Sequence, residues 1–346
     1  MYLATPAERS LTPPGREAVP ATSFLLGKSP GNAVIGTGAQ TTMRESTRKK
    51  RIPLPATFWA ILLLLATASL SVHCEHEPER STKQASYETT KRMRYGFVLE
   101  NPTSRAVRNA LLWTYAPMER TATQNCTDLK ASREFERIHD ELGHQVLRFH
   151  FSVVPPFGAR QVDIRVELAM AKEPQPLPNA EPTVWLDPAP QVQSSSEPIA
   201  SLATELKADT GKETARNIWN WVGREIAYSG YTARERGALQ ALSQRKGDCT
   251  EFADLYAAVA RACDLPTRVV SGFVRDGSGA LNRSMHHNWA ESYFGNGWRL
   301  ADPQKQVFDR RRFHYVAFSL LGGGDGPIPR GRLFKARGKG LEIRMK

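Results

Sequence analysis

Seven prolines fall between residues 171 and 200, with Ser194-Ser195-Ser196 among them, and the apolar pattern differs on the two sides of that stretch. Proline lacks an amide donor and fixes φ, so neither a helix nor a central strand continues through such a segment. Residues 171–198 therefore read as a linker or an extended crossing segment between two blocks. Before it, residues 95–99, 111–115, 146–151 and 162–168 alternate or run apolar in short stretches that predict strands, and residues 91–170 are expected to form a small β-sandwich. After it, residues 199–208 and 214–226 carry helical spacing, and a third helix is expected from about Cys249 to Ala262, stopped by Leu265-Pro266. Strands begin at Val269-Val270. Helices first and strands afterwards indicate α+β architecture for residues 199–346, with the helices packed on an antiparallel sheet.

A different signal lies near the front. Arg48-Lys49-Lys50-Arg51 precedes a 13-residue apolar run, 58–70, that ends in small residues with Ala66-Thr67-Ala68 as a cleavage-like site. That is the layout of a secretory signal. The run spans about 20 Å against a hydrocarbon core of ~30 Å, so residues 48–74 read as a signal peptide, with a membrane anchor through residues 56–72 as the alternative. Residues 1–47 are a disordered tail, or translation begins at Met43. Cys74 follows directly, but His73 stands where lipid attachment at a cysteine requires a small residue. The four cysteines have no framework spacing, and the sequons at Asn125 and Asn282 matter only where secreted proteins are glycosylated.

The chain's net charge is +12, which raises nucleic acid as a partner. Residues 1–74 hold 8 Lys/Arg against 3 Asp/Glu, and residues 330–346 hold 7 against 1, which leaves 75–329 at +1. A nucleic-acid binder carries its charge over a folded face, so nucleic acid is not expected. The 330–346 stretch reads as a solvated basic tail or as a contact with an acidic membrane surface or wall polymer.

Gly247-Asp248-Cys249 places a cysteine in the first turn of the third helix, where the terminal amides and partial positive charge favour thiolate. Cys249, Phe252, Tyr256, Val259 and Cys263 share one inward face. Taken alone, each of the two cysteines reads as a buried structural residue, and Cys263 keeps that reading. His286-His287-Asn288-Trp289 opens a strand, and Gly295-Asn296-Gly297 separates it from Trp298-Arg299-Leu300-Ala301-Asp302. A two-residue Gly295-Asn296 loop pairs Phe294 with Gly297 and makes His287 and Asp302 diagonal neighbours on one face, ~7–8 Å apart at the backbone. An Asn296-Gly297 loop puts Asp302 opposite Glu291, and a three-residue loop sends the pair to opposite faces. Alone, His287 is a strand histidine and Asp302 a turn carboxylate. A thiol at a helix start with a histidine and a carboxylate on neighbouring strands meets the general requirement for thiol acyl transfer.

Gly-Asp-Cys at a helix start, then His-x-Trp, then Asp-Pro, in this order and spacing, resembles the transglutaminase-like superfamily of papain-related cysteine enzymes over about residues 199–303. The resemblance implies Cys249 as nucleophile, His287 as base, Asp302 as its orienting carboxylate and Trp289 packed beside the site. The strand-rich block is similar to the β-domain that precedes this core in some exported bacterial members. Members include crosslinking acyltransferases, peptidases, amidases and proteins that only bind. The expectation is an exported enzyme, periplasmic, extracellular or membrane-anchored, that hydrolyses amide bonds of a protein or peptide substrate. Crosslinking of Gln to amines and a non-catalytic cell-wall or protein-binding module are the alternatives. No metal or other cofactor is expected, since no acidic run has Ca²⁺-loop spacing. The Cys249 amide is a candidate oxyanion donor, with Trp219, Trp221 and Tyr228 as side-chain candidates.

Overall fold

A computed structural model of the chain describes residues 86–140, 142–177, 181–232, 234–322 and 326–346. The 48–74 signal, the 1–47 tail and Cys74 lie outside the described residues. Six strands come first: β1 (Thr89–Glu100), β2 (Val107–Ala116), β3 (Gln124–Ala131), β4 (Glu136–His139), β5 (Gln145–Val154) and β6 (Ala159–Met170). Met93, Tyr95, Phe97 and Leu99 of β1 and Val162, Ile164, Val166 and Leu168 of β6 point inward, as the period of two dictates. They meet Leu112 of β2 and Leu147, Phe149 and Phe151 of β5 across the gap between two sheets.

The second block contains α1 (Glu197–Leu206), α2 (Gly211–Glu225), β7 (Ala227–Tyr228), α3 (Gly237–Gln244), β8 (Lys246–Gly247), α4 (Cys249–Ala262), β9 (Thr267–Val274) and β10 (Gly279–Ala280). It continues with β11 (His286–Phe294), β12 (Gly297–Asp302), β13 (Val307–Phe308) and β14 (Tyr315–Leu321). The order β13-β12-β11-β9-β14 is antiparallel throughout, and α4 packs on β11 and β9 with α1, α2 and α3 around it. This is the α+β arrangement that the sequence indicates. The single inward face expected for α4 is too narrow, because every residue from Glu251 to Arg261 is buried. The alanines at 253, 257, 258 and 260 let its neighbours approach, and the buried carboxylates are paired, Glu251 with Arg236 and Asp254 with Arg330.

The basic stretch 330–346 is neither a solvated tail nor part of the second block alone. It forms β15 (Phe334–Arg337), antiparallel to β2, and β16 (Glu342–Met345), antiparallel to β1. Phe334, Ala336, Ile343 and Met345 turn toward the sandwich core, and the charged residues between them face out. Outward lysines and arginines suit strands that close a sheet edge. Arg344 pairs with Glu100 at 2.9 Å.

The two blocks share packing. Gln124 Nε2 donates to Met118 O and Ala317 O, both at 2.9 Å, and the Ala317 amide donates back to Gln124 Oε1 at 2.8 Å. The Leu320 amide donates to His144 Nε2 at 2.8 Å, while His144 Nδ1 donates to Asp140. Within the 171–198 segment, Pro182–Trp185 forms a short 3₁₀ turn. Trp185 lies in one apolar cluster with Met118 and Ala122 of the first block and Val270 and Trp298 of the second. The described residues accordingly belong to one compact unit.

Candidate active site

Residue 247 must be glycine for the start of α4 to close on itself. A Cβ there would stand 2.4 Å from Glu251 Cβ. With glycine, Glu251 folds back to accept the Asp248 amide at 2.9 Å, and Asp248 Oδ1 accepts the Thr250 amide at 2.8 Å, a capping box. The same two carboxylates hold the preceding loop, through Thr232 N on Asp248 Oδ2 at 2.9 Å and Arg236 on Glu251. Cys249 is thereby fixed as the first helical residue, half-buried, with its thiol facing the hydroxyl of Thr250 and the backbone amide of Asn288.

His287 enters from β11, opposite Gly272 of β9. Gly272 is a close-approach site, since a Cβ would lie 2.0 Å from Val316 O and 2.8 Å from the Trp289 ring. Trp289 is buried across it, edge-on to Tyr315 with ring centroids 5.1 Å apart. The β11–β12 loop is the two-residue one. Gly295 and Asn296 have φ of 57° and 60°, and Phe294 faces Gly297. That register carries Asp302 to His287, whose Nε2 lies 2.7 Å from Asp302 Oδ2. Asp302 Oδ2 also accepts the Tyr315 hydroxyl at 2.8 Å, and Oδ1 accepts the Lys305 amide at 3.0 Å.

This donor set fixes the chemistry of the pair. A carboxylate oxygen facing Nε2 takes that nitrogen as its donor, which leaves Nδ1 free to accept a proton. Burial and the neighbouring Asp302 push the Tyr315 hydroxyl well above its ordinary range, so it remains a donor. His286, one residue away, is on Ser271 Oγ at 2.9 Å, and burial together with His287 lowers it to about 4.

The thiol departs from the expectation drawn from the helix terminus. Burial, followed by the Asp248 carboxylate, pushes Cys249 up to about 11, against the opposing Asn288 amide and Thr250 hydroxyl. The residue that caps the helix is itself an anion, and it offsets the amides of the first turn. Cys249 therefore rests as a thiol and needs a base. Of the side-chain oxyanion candidates, the Trp219 indole donates to Asp302 O at 3.1 Å, Trp221 lies under Arg245, and Tyr228 alone lines the cleft. Cys263 is buried, with its thiol 3.4 Å from Ala203 O.

Cys249 and His287 line one open cleft of about 1330 Å³, with the 329–335 and 343–345 segments on its other wall. A smaller concavity of about 410 Å³, on the outer face of β1 and β6, holds no cysteine or histidine. Among the described residues no group of three His, Cys, Asp or Glu is placed to hold a metal ion, and no helix is long and apolar enough to cross a membrane.

A model of the transglutaminase-like superfamily matches residues 200–303. The chain carries a transglutaminase-like domain. A curated relative, an uncharacterized protein of Mycobacterium leprae, is 26% identical over 237 residues, covering 61% of this chain and 81% of that protein. Among solved structures, a candidate cysteine protease from Cytophaga hutchinsonii is similar at 15% identity and a TM-score of 0.49, covering 75% of this chain and 92% of that one. The periplasmic domain of TgpA from Pseudomonas aeruginosa is similar at 16% identity and a TM-score of 0.36, covering 66% and 92%. The matched part of the transglutaminase-like domain includes Cys249, His287 and Asp302. It ends before Tyr315 and before the wall formed by residues 329–335 and 343–345, and sequence reasoning singled out neither of these as part of the site.

Proposed function

We propose that this chain is an exported thiol enzyme that cleaves amide bonds of proteins or peptides through a thioester on Cys249. The observation that carries the reading is the 2.7 Å contact between buried Asp302 and His287, which lines the same cleft as Cys249. Because Cys249 rests as a thiol, attack and proton transfer go together. Sγ bonds to the carbonyl carbon as His287 Nδ1 takes the thiol proton, and Asp302 stabilises the imidazolium through Nε2. The Cys249 amide, at the helix terminus, is the donor best placed for the oxyanion. Collapse expels the amine, which takes the proton from His287, and a water deprotonated by His287 then releases the acyl group. The cleft is open to water, which supports hydrolysis over transfer to an amine. Export rests on the layout of residues 48–74.

The experiment is turnover of a peptide library by the full chain, with acid quenching and mass spectrometry for an acyl adduct on Cys249. The reading requires cleavage and an adduct that both vanish in Cys249→Ala. The high position of the Cys249 thiol favours a second reading, a cleft that binds peptides without turnover. Binding by wild type and Cys249→Ala alike, with no product from either, would establish it.

A further inference from the structure

The cleft around Cys249 is cationic, although residues 75–329 carry almost no net charge. Its two lining carboxylates are already engaged, Asp248 as helix cap and Glu235 with Arg330 at 2.7 Å. Four lining cations, Arg283, Lys305, Arg332 and Lys335, are exposed and make no ion pair among the described residues. They come from three separate segments of the cleft lining. Arg283 is in the turn leading into His286-His287 and stacks over Tyr231, 5.6 Å from its ring centroid. Lys305 follows Asp302 and is tied to it through its amide. Arg332 and Lys335 come from the opposite wall, where Arg330 anchors the segment to Asp254 of α4 at 2.6 Å. Unpaired cations on two walls of a groove, with no free anion between them, concentrate an anionic ligand there.

We propose that the substrate of this site is an acidic peptide, with aspartate or glutamate side chains on both sides of the carbonyl presented to Cys249. This rests on the thiol-enzyme reading for the chemistry, but the charge preference belongs to the cleft itself. A peptide fits better than a nucleic acid, because the cations bracket a nucleophile suited to a carbonyl and do not form a continuous track. Exposed Tyr228 and Tyr231 offer apolar contact for side chains between the acidic positions.

The test compares three peptides of one sequence with Glu, Gln or Lys flanking the central residue. It measures kcat/KM with wild type, and Kd by fluorescence anisotropy with Cys249→Ala, each at low and at ~0.5 M salt. The Glu peptide should be favoured over the Gln peptide by about tenfold in either measurement, and salt should erase most of that difference. Arg332→Glu with Lys335→Glu should remove the preference, and an unchanged circular dichroism spectrum shows that the variant folds. Binding preference without cleavage keeps the acidic-peptide assignment and sinks the enzyme reading. Cleavage without charge preference does the reverse. Equal competition by a single-stranded oligonucleotide of matched charge also overturns the assignment, since the groove is then a general polyanion site.

Discussion

Tyr315 and His287 donate to the same oxygen of Asp302, one from β14 and the other from β11, at 2.8 and 2.7 Å. The carboxylate is held from two sides by strands that are not neighbours in the sheet, since β9 lies between them. Tyr315→Phe removes one donor while keeping the ring against Trp289. The expected cost is about 1 kcal/mol of stability and about tenfold in kcat/KM, read by urea unfolding and peptide turnover. Unchanged turnover would show that Asp302 is held well enough by the remaining donors.

Asp302→Asn and Asp302→Ala both remove the charge, and the first keeps the shape of the side chain. The Asn variant can turn an amide N–H toward His287 Nε2, which moves the imidazole proton to Nδ1 and blocks it from accepting one from the thiol. Turnover should fall by about 10³-fold or more in both variants. The Asn variant should keep the wild-type fold, checked by near-ultraviolet circular dichroism, because it retains an acceptor for the Lys305 amide.

Cys249 is expected to behave as a hindered, weakly acidic thiol. Its reactive fraction grows as pH rises toward about 11, so iodoacetamide labelling in the absence of substrate should be slow at pH 7 and still increasing at pH 10. Asp248→Asn keeps an efficient helix cap but removes the nearest anion, and should shift the labelling curve to lower pH. A wild-type midpoint below the ~8.5 of a free thiol would mean that His287 holds a preformed thiolate.

Asp254 makes stability depend on pH. It is fully buried, and desolvation outweighs the Arg330 guanidinium and holds the carboxyl at about 7, above its ordinary 3.8. The folded state therefore binds a proton that the unfolded state has released, so this contribution is complete below pH ~4 and is lost as pH rises through ~7. Asp254→Asn should unfold at a relatively higher denaturant midpoint at pH 8 than at pH 5, each compared with wild type. A constant difference between the variants at the two values would rule this out.

The sandwich core strands were readable because period-two alternation puts large apolar residues on one face. The edge strands β3 and β4 were not, since Gln124–Ala131 and Glu136–His139 have few inward apolar positions. Helix α3 has only eight residues and Arg236 at its cap, so it carries no start signal. The His287–Asp302 relationship was legible, with its alternatives, because a short hairpin fixes register over six residues. Tyr315 was not, because its link to Asp302 depends on where β14 lies in the sheet, and spacing along the chain does not set strand order. The basic stretch misled for a related reason. Its charge dominates its composition, whereas its fold is set by the four apolar residues that alternate with that charge.

Strands β15 and β16 also govern how the molecule can assemble. Glu100 of β1 and Arg344 of β16 are 244 positions apart and pair directly, and the segment that carries these strands walls the cleft on its way. A chain cut in the proline-rich segment gives two fragments with unpaired sheet edges, and the first lacks three of its strands, β10, β15 and β16. Closing loops of that length costs chain entropy, so the pairings of β15 and β16 raise the contact order of the fold. The cationic wall of the cleft thus depends on strand pairing far along the chain, and a variant that frees β15 from β2 should lose the wall facing Cys249 together with the strand.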